Sequence, residues 1–226
     1  MQSLDAVLNH PAIWRGNGCA RVAIPSASTG FAELDAALPG GGWPVAALTE
    51  IYAAHRGIGE MQLLMPAAAR LTRAGRWVTL IATPYIPYAP ALAAHGLKLA
   101  RLILVRAEKA EERFWACEQA LRHQDCGAVL AWIDHASERA LKRLQLAAEA
   151  GSAIALLFRS ARVIPASPAA LRLQIERSQD RTLVRVLKRR GSSLLTPISL
   201  DLRDLPSASV GEPAPPSRPR PLEKVL

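Results

Sequence analysis

From Ala47 to Phe158 the chain alternates five short apolar runs with four stretches of helical spacing, and this alternation constrains the fold more than any other feature. The runs are Leu48 to Tyr52, Trp77 to Ala82, Leu102 to Arg106, Ala128 to Ile133 and Ala153 to Phe158. Between them lie Met61 to Ala74, Tyr88 to His95, Lys109 to His123 and Ser137 to Ala150. In the last of these, Leu141, Leu144, Ala147 and Ala148 share one helical face and read as core. Short apolar runs separated by helices are strands buried on both faces. The pattern therefore predicts an α/β core with a mostly parallel central sheet and helices on both faces. The period then changes. Leu171, Leu173 and Ile175 alternate with Arg172, Gln174 and Glu176, Gln179-Asp180 supplies a turn, and Thr182 to Lys188 returns, followed by Leu195 to Leu202. These late strands are expected to form an antiparallel edge of the sheet.

The remaining segments frame one domain. Residues 1–24 read as an N-terminal arm, with Leu4, Val7 and Leu8 on one face of a short helix ahead of Pro11. Residues 25–205 are the core. Residues 206–226 carry Pro213, Pro215, Pro216, Pro219 and Pro221 among small and charged residues, the composition of a disordered tail, with Leu222, Val225 and Leu226 as anchors for a partner. The 226 residues include 28 Lys plus Arg against 19 Asp plus Glu, a net +9 that points to an acidic partner, either nucleic acid or an acidic protein surface. No stretch approaches the roughly 18 apolar residues of a membrane span, and the N-terminus lacks a signal peptide's pattern, so the expected location is cytoplasmic. Cys19, Cys117 and Cys126 form no CxxC pair and fit small buried residues in a reducing compartment.

Between the first strand and the first helix of the core stands Ala53-Ala54-His55-Arg56-Gly57-Ile58-Gly59-Glu60. A strand-to-helix loop here is where phosphate binding would occur, but a phosphate loop needs GxxxxGK[ST]: amides for phosphate oxygens, an ammonium, and a hydroxyl for magnesium. The lysine is missing, and Glu60 at the helix start repels a triphosphate. Two readings remain. Arg56, Gly57 and Gly59 still hold some anion through the loop amides, or the loop is a shortened turn whose Glu60 sits at the positive end of the helix dipole. Beyond the second strand, Pro84 to Pro90 reads as a proline-stiffened surface loop on which Tyr85 and Tyr88 pack. His55, His95, His123 and His135 lack metal-ligand spacing, and no GxSxG nucleophile motif occurs. Catalytic and metal residues are therefore not expected.

Arg172, Arg177, Arg181, Arg185, Lys188, Arg189 and Arg190 gather charge on the late strands. They read either as a phosphate-binding face, with Arg185, Lys188, Arg189 and Arg190 the candidates for nucleic-acid or partner contact, or as an edge protected from aggregation by charge. Few aromatics are interleaved, so DNA binding there is expected to be weak, steeply salt-dependent and poor in sequence preference.

Ser28-Thr29-Gly30-Phe31-Ala32-Glu33-Leu34-Asp35, then Gly40-Gly41-Gly42-Trp43-Pro44 and Thr49-Glu50-Ile51-Tyr52, resembles the opening of the ATPase core of RecA recombinases. The likeness runs from about Ile24 to Leu202, and implies a RecA-like P-loop NTPase core with a degenerate nucleotide loop. The wording of Gly57-Ile58-Gly59-Glu60 and of Pro84 to Leu92 is closer to the ImuA family, the RecA/SulA-like proteins of translesion synthesis cassettes.

Carried over residue by residue, the recombinase's site is mostly absent. Its phosphate-binding lysine and magnesium-binding hydroxyl fall on Gly59 and Glu60, and its catalytic glutamate falls on Pro84. The aspartate ending its third core strand falls near Trp132, with Asp134 two residues away. The segments after Ile133 and Phe158 are too short to copy its DNA-binding loops, whereas Lys188 and Arg190 match a basic pair that faces a neighbour's nucleotide. The resemblance implies a non-catalytic adaptor in SOS-induced translesion synthesis. Its implied partners are RecA and an ImuB-type inactive polymerase homologue, through which it reaches a mutagenic polymerase and the sliding clamp, at the nucleoid during damage. No cofactor is expected on this reading. Two alternatives stand beside it: an accessory that binds ATP and magnesium through a non-standard loop, in which Arg56, Lys188 or Arg190 replaces the lysine, and a SulA-like inhibitor of cell division.

Overall fold

The computed structural model describes residues 25–162, 164–189 and 196–202. The N-terminal arm, the proline-rich tail, Cys19, Arg190 and Leu195 lie outside the described residues. A small antiparallel ribbon, β1 (Ser26–Ala27) and β2 (Trp43–Pro44), brackets helix α1 (Ala32–Ala37). Eight described strands then make one sheet. The five apolar runs become β3 (Ala47–Ala53), β4 (Trp77–Ile81), β5 (Leu102–Val105), β6 (Cys126–Trp132) and β7 (Ile154–Ser160). They are separated in turn by α2 (Met65–Arg73), α3 (Ala89–Ala94), α4 (Ala110–Arg122) and α5 (Glu138–Gly151). β8 (Leu171–Ser178), β9 (Arg181–Lys188) and β10 (Ile198–Leu200) complete the order β10-β9-β8-β3-β7-β6-β4-β5.

Period-two alternation along the buried strands divides the core into two layers. Ile51, Leu80, Leu130, Leu156 and Leu173 face α1, the Leu63 to Ala69 segment and the Leu92 end of α3. Leu48, Ile81, Val129 and Leu157 face the Leu121 side of α4 and the Leu141, Leu144, Ala147 and Ala148 stripe of α5. Ser137 caps α5 by accepting from the Ala140 amide at 3.2 Å, and its last residue, Gly151, permits a close crossing: a Cβ there would stand 1.7 Å from the Leu121 carbonyl oxygen.

One sequence expectation is corrected. β8 is not part of an antiparallel edge but pairs parallel with β3, deep in the sheet, and the antiparallel edge begins only at β9. Residues 161–170 carry the chain from β7 across β3 to β8 without a helix, so the usual signature of a parallel crossover is missing from the sequence. The polar alternate residues of β8 are explained by what they meet. Arg172 reaches over to Glu50 of β3, which is fully buried.

Glu50 binds three ways. Its Oε1 accepts from Arg159 Nη1 at 2.5 Å, and its Oε2 accepts from Arg172 Nε at 3.1 Å and from the Tyr52 hydroxyl at 3.1 Å. Arg172 Nη2 also donates to the Tyr52 oxygen at 2.8 Å. Burial pushes the Tyr52 hydroxyl above its ordinary pKa, the Arg172 hydrogen bond pulls it partly back and the Glu50 charge adds to the rise, so the hydroxyl keeps the proton it donates. This cluster ties β3 to both neighbours, β7 through Arg159 and β8 through Arg172.

Removing one member of a satisfied buried ion cluster strands the rest. Glu50→Ala is therefore expected to lower unfolding stability by about 3–5 kcal/mol in urea titration, and a loss under about 1 kcal/mol would contradict the cluster's role. Burial pushes the Cys117 thiol up to about 12 and the Cys126 thiol up to about 11. In a Cys19→Ser background neither thiol should react with a disulfide reagent at about pH 8 until the protein unfolds. Because the unfolded chain ionises both thiols first, their contribution also predicts stability falling as pH rises from about 9 through the folded values. Rapid labelling of the folded protein would overturn both statements.

Candidate functional site

Beyond Ala53 the chain turns twice through left-handed glycines, Gly57 at φ 81° and Gly59 at φ 104°. The Glu60 side chain folds back into that turn. Its Oε1 accepts from the Gly57 amide and its Oε2 from the Ile58 amide, both at 2.9 Å, and Glu60 is only 4% exposed. The loop amides thus do hold an anion, and the anion is the chain's own carboxylate. The helix-dipole reading of Glu60 is corrected at the same time: Gln62–Leu64 is a 3-10 turn and the α-helix starts only at Met65, with Pro66 in its first turn. Gly59 is held by contact as well as by φ, since a Cβ there would lie 2.8 Å from Leu202 Cδ1.

Arg56 does not supply charge to this loop. Its guanidinium pairs with Asp134, whose other oxygen accepts from the Ser160 amide at 3.0 Å, fastening the loop to the ends of β6 and β7. His55 is exposed.

Gly57, Gly59 and Glu60 form one wall of a cleft of about 270 Å³; Thr83, Pro84 and Tyr85 form the other, with Trp132 between. The cleft lies at the carboxyl ends of β4 and β6, where the chain leaves toward β5 on one side and β7 on the other, the crevice where open α/β sheets take ligands. The fold brings together the three positions that the recombinase likeness singled out, Gly59-Glu60, Pro84 and Trp132. None offers phosphoryl-transfer chemistry. Trp132 stacks on Phe158 with ring centroids 4.6 Å apart, and its buried Nε1 has no hydrogen-bond partner among the described residues. The residues do not fit a magnesium nucleotide: there is no ammonium in the loop, no hydroxyl at its end, and the amides are already bonded to a carboxylate. Among the described residues no group of three or more His, Cys, Asp or Glu side chains is arranged to hold a metal ion.

The loop after β4 departs from expectation. Tyr85 and Tyr88 do not pack on it but stand 69% and 72% exposed, with Ile86 at 72%. Prolines fix the backbone here, so the aromatic rings point outward without collapsing onto a core.

The basic late strands are largely committed within the chain. A register shift in the β8–β9 pairing sets Lys188 opposite Arg172 and Arg185 opposite Gln174, which puts Lys188 and Arg185 on one face of the sheet. Lys188 Nζ donates to the Ser167 carbonyl at 3.0 Å, and Arg185 lies 4.0 Å from Glu176. Arg189 turns away and donates to the Ala37 carbonyl on α1. Arg181 donates to Ser199 Oγ at 2.6 Å, and Arg172 belongs to the buried Glu50 cluster, so the seven cations do not make one phosphate-binding surface.

The Glu50 cluster escaped sequence reasoning, although it left a signal. A carboxylate inside Leu48-Thr49-Glu50-Ile51-Tyr52 requires a buried cation, and Arg159 and Arg172 flank the only strands able to deliver one. The contact of Leu202 with the loop left no comparable trace.

No described helix is long and apolar enough to cross a membrane. The family model described as cell division inhibitor SulA matches residues 47–155, the stretch from β3 into β7. The SulA of Edwardsiella piscicida is 33% identical over 96 residues, covering 42% of this chain and 57% of the relative. Protein ImuA of Caulobacter vibrioides is 33% identical over 136 residues, 57% of this chain and 55% of the relative. The chain thus matches little more than half the length of each of these curated relatives. On these matches the chain belongs to an ImuA/SulA-like family.

Proposed function

We propose that this chain is a non-catalytic accessory protein of the bacterial DNA-damage response, acting in translesion synthesis by docking and not by turnover. The observation that carries the reading is the Glu60 carboxylate on the Gly57 and Ile58 amides. A loop whose donors are bonded internally supports retention of a RecA-like shape without RecA-like chemistry. The partners in this reading are RecA and an ImuB-type inactive polymerase homologue, which in turn bring in a mutagenic polymerase and the sliding clamp. The exposed Arg185 edge and the aromatic tip at Tyr85, Ile86 and Tyr88 are the proposed contact surfaces. The ATP-binding alternative loses support because its substitute cations are engaged elsewhere, Arg56 by Asp134 and Lys188 by Ser167.

The SulA model match favours a second reading, inhibition of cell division. Overproduction in undamaged cells separates the two, since filamentous growth supports the second reading alone.

The purified full-length chain should retain RecA or an ImuB-type partner in pull-down, with no DNA-stimulated ATP hydrolysis. A charge-reversing Arg185→Glu and a Tyr85→Ala/Tyr88→Ala variant should each weaken retention several-fold while leaving the melting temperature unchanged. Retention that neither variant weakens would overturn the assigned surfaces, and DNA-stimulated hydrolysis would overturn the non-catalytic reading.

A further inference from the structure

The cleft that has lost its nucleotide chemistry retains the features of a different kind of binding groove. Pro84, Pro87 and Tyr85 line one side, Met61 the other, and Trp132 the floor. The Trp132 indole N–H is buried with no acceptor among the described residues, while Tyr85 presents most of its ring to solvent. Aromatic and proline walls around an indole donor suit a polyproline II segment, whose carbonyls are all free because it has no internal hydrogen bonds. Glu60 makes the groove hostile to anions and tolerant of cations.

A segment of this kind lies within the same chain. Pro213-Ala214-Pro215-Pro216-Ser217-Arg218-Pro219-Arg220-Pro221 contains two overlapping P-x-x-P spacings, and its charges are arginines. The last described residue, Leu202, is 3% exposed and packs against Gly59, so the chain leaves the described core from the wall of the cleft itself. At roughly 3.3 Å per extended residue, residues 203–212 reach any point of a cleft this size. A tether that short holds the segment at about millimolar effective concentration, so even a weak contact is populated.

We propose that residues 213–221 dock as a polyproline II strand in the cleft between Gly57–Gln62 and Thr83–Pro87, covering the Trp132 indole. A partner that uses this face then has to displace the strand first. The inference is independent of the accessory-protein reading, which depends on the pull-down.

The test uses the full chain, ¹⁵N-labelled, with Cys19→Ser and Ser217→Cys carrying a nitroxide; Cys117 and Cys126 are buried. The Trp132 indole and the Gly57 and Gly59 amides should lose most of their intensity to paramagnetic broadening. Pro215→Ser/Pro216→Ser/Pro219→Ser in the tail, or Tyr85→Ala in the groove, should restore it. Broadening that is absent, that spreads evenly over the surface, or that survives the proline substitutions would overturn the proposal. So would broadening that appears only between differently labelled copies, which assigns the groove to a second molecule.

Discussion

The Glu60 carboxylate, buried against the amides of Gly57 and Ile58, is the contact around which the carboxyl edge of the sheet is organised. Two left-handed glycines aim those amides inward, and an inward-facing pair of buried donors requires an acceptor. In a nucleotide-binding protein the acceptor arrives from solvent as a phosphate. Here it is three residues away in the chain, present at all times and at no cost in ligand. The neighbouring contacts follow from that closure. Gly59 stays free of a Cβ and admits Leu202, and the loop drops close enough to the ends of β6 and β7 for Arg56 to reach Asp134.

A second carboxylate does comparable work in the interior. Glu50 joins the strand that feeds the loop to the strands on either side of it, through Arg159 and Arg172. Both acids replace an external requirement with an internal one, and each consumes a charge that the sequence offered for binding. Arg56, Arg159, Arg172 and Lys188 all end on acceptors within the chain. A net charge of +9 therefore overstates the free positive surface, and the contacts left for partners are the Arg185 edge and the exposed aromatic tip.

The parallel core was legible because strands buried on both faces must be apolar throughout, and helices between them must carry one apolar stripe. The five runs and four helices stand within a few residues of where periodicity places them. β8 was misjudged because its alternation reports one solvated-looking face, while the structure turns that face onto a buried acid. Pairing direction is not written in a strand's own residues, and the crossover before β8 has no helix to announce it. The losses at Gly59-Glu60, Pro84 and Trp132 were readable as missing side-chain chemistry. Their convergence on one cleft depends on strand order, and the fold-back of Glu60 depends on two backbone torsions, neither of which composition encodes.

The central claim is that the loop amides are taken. Amide spectra of the full-length ¹⁵N-labelled chain, recorded as magnesium-ATP is raised well above cellular levels, address it directly. The account predicts that the Gly57 and Ile58 resonances stay fixed in the native chain and begin to respond to phosphate only in a Glu60→Ala variant. A saturable shift of those two amides in the native chain would contradict it.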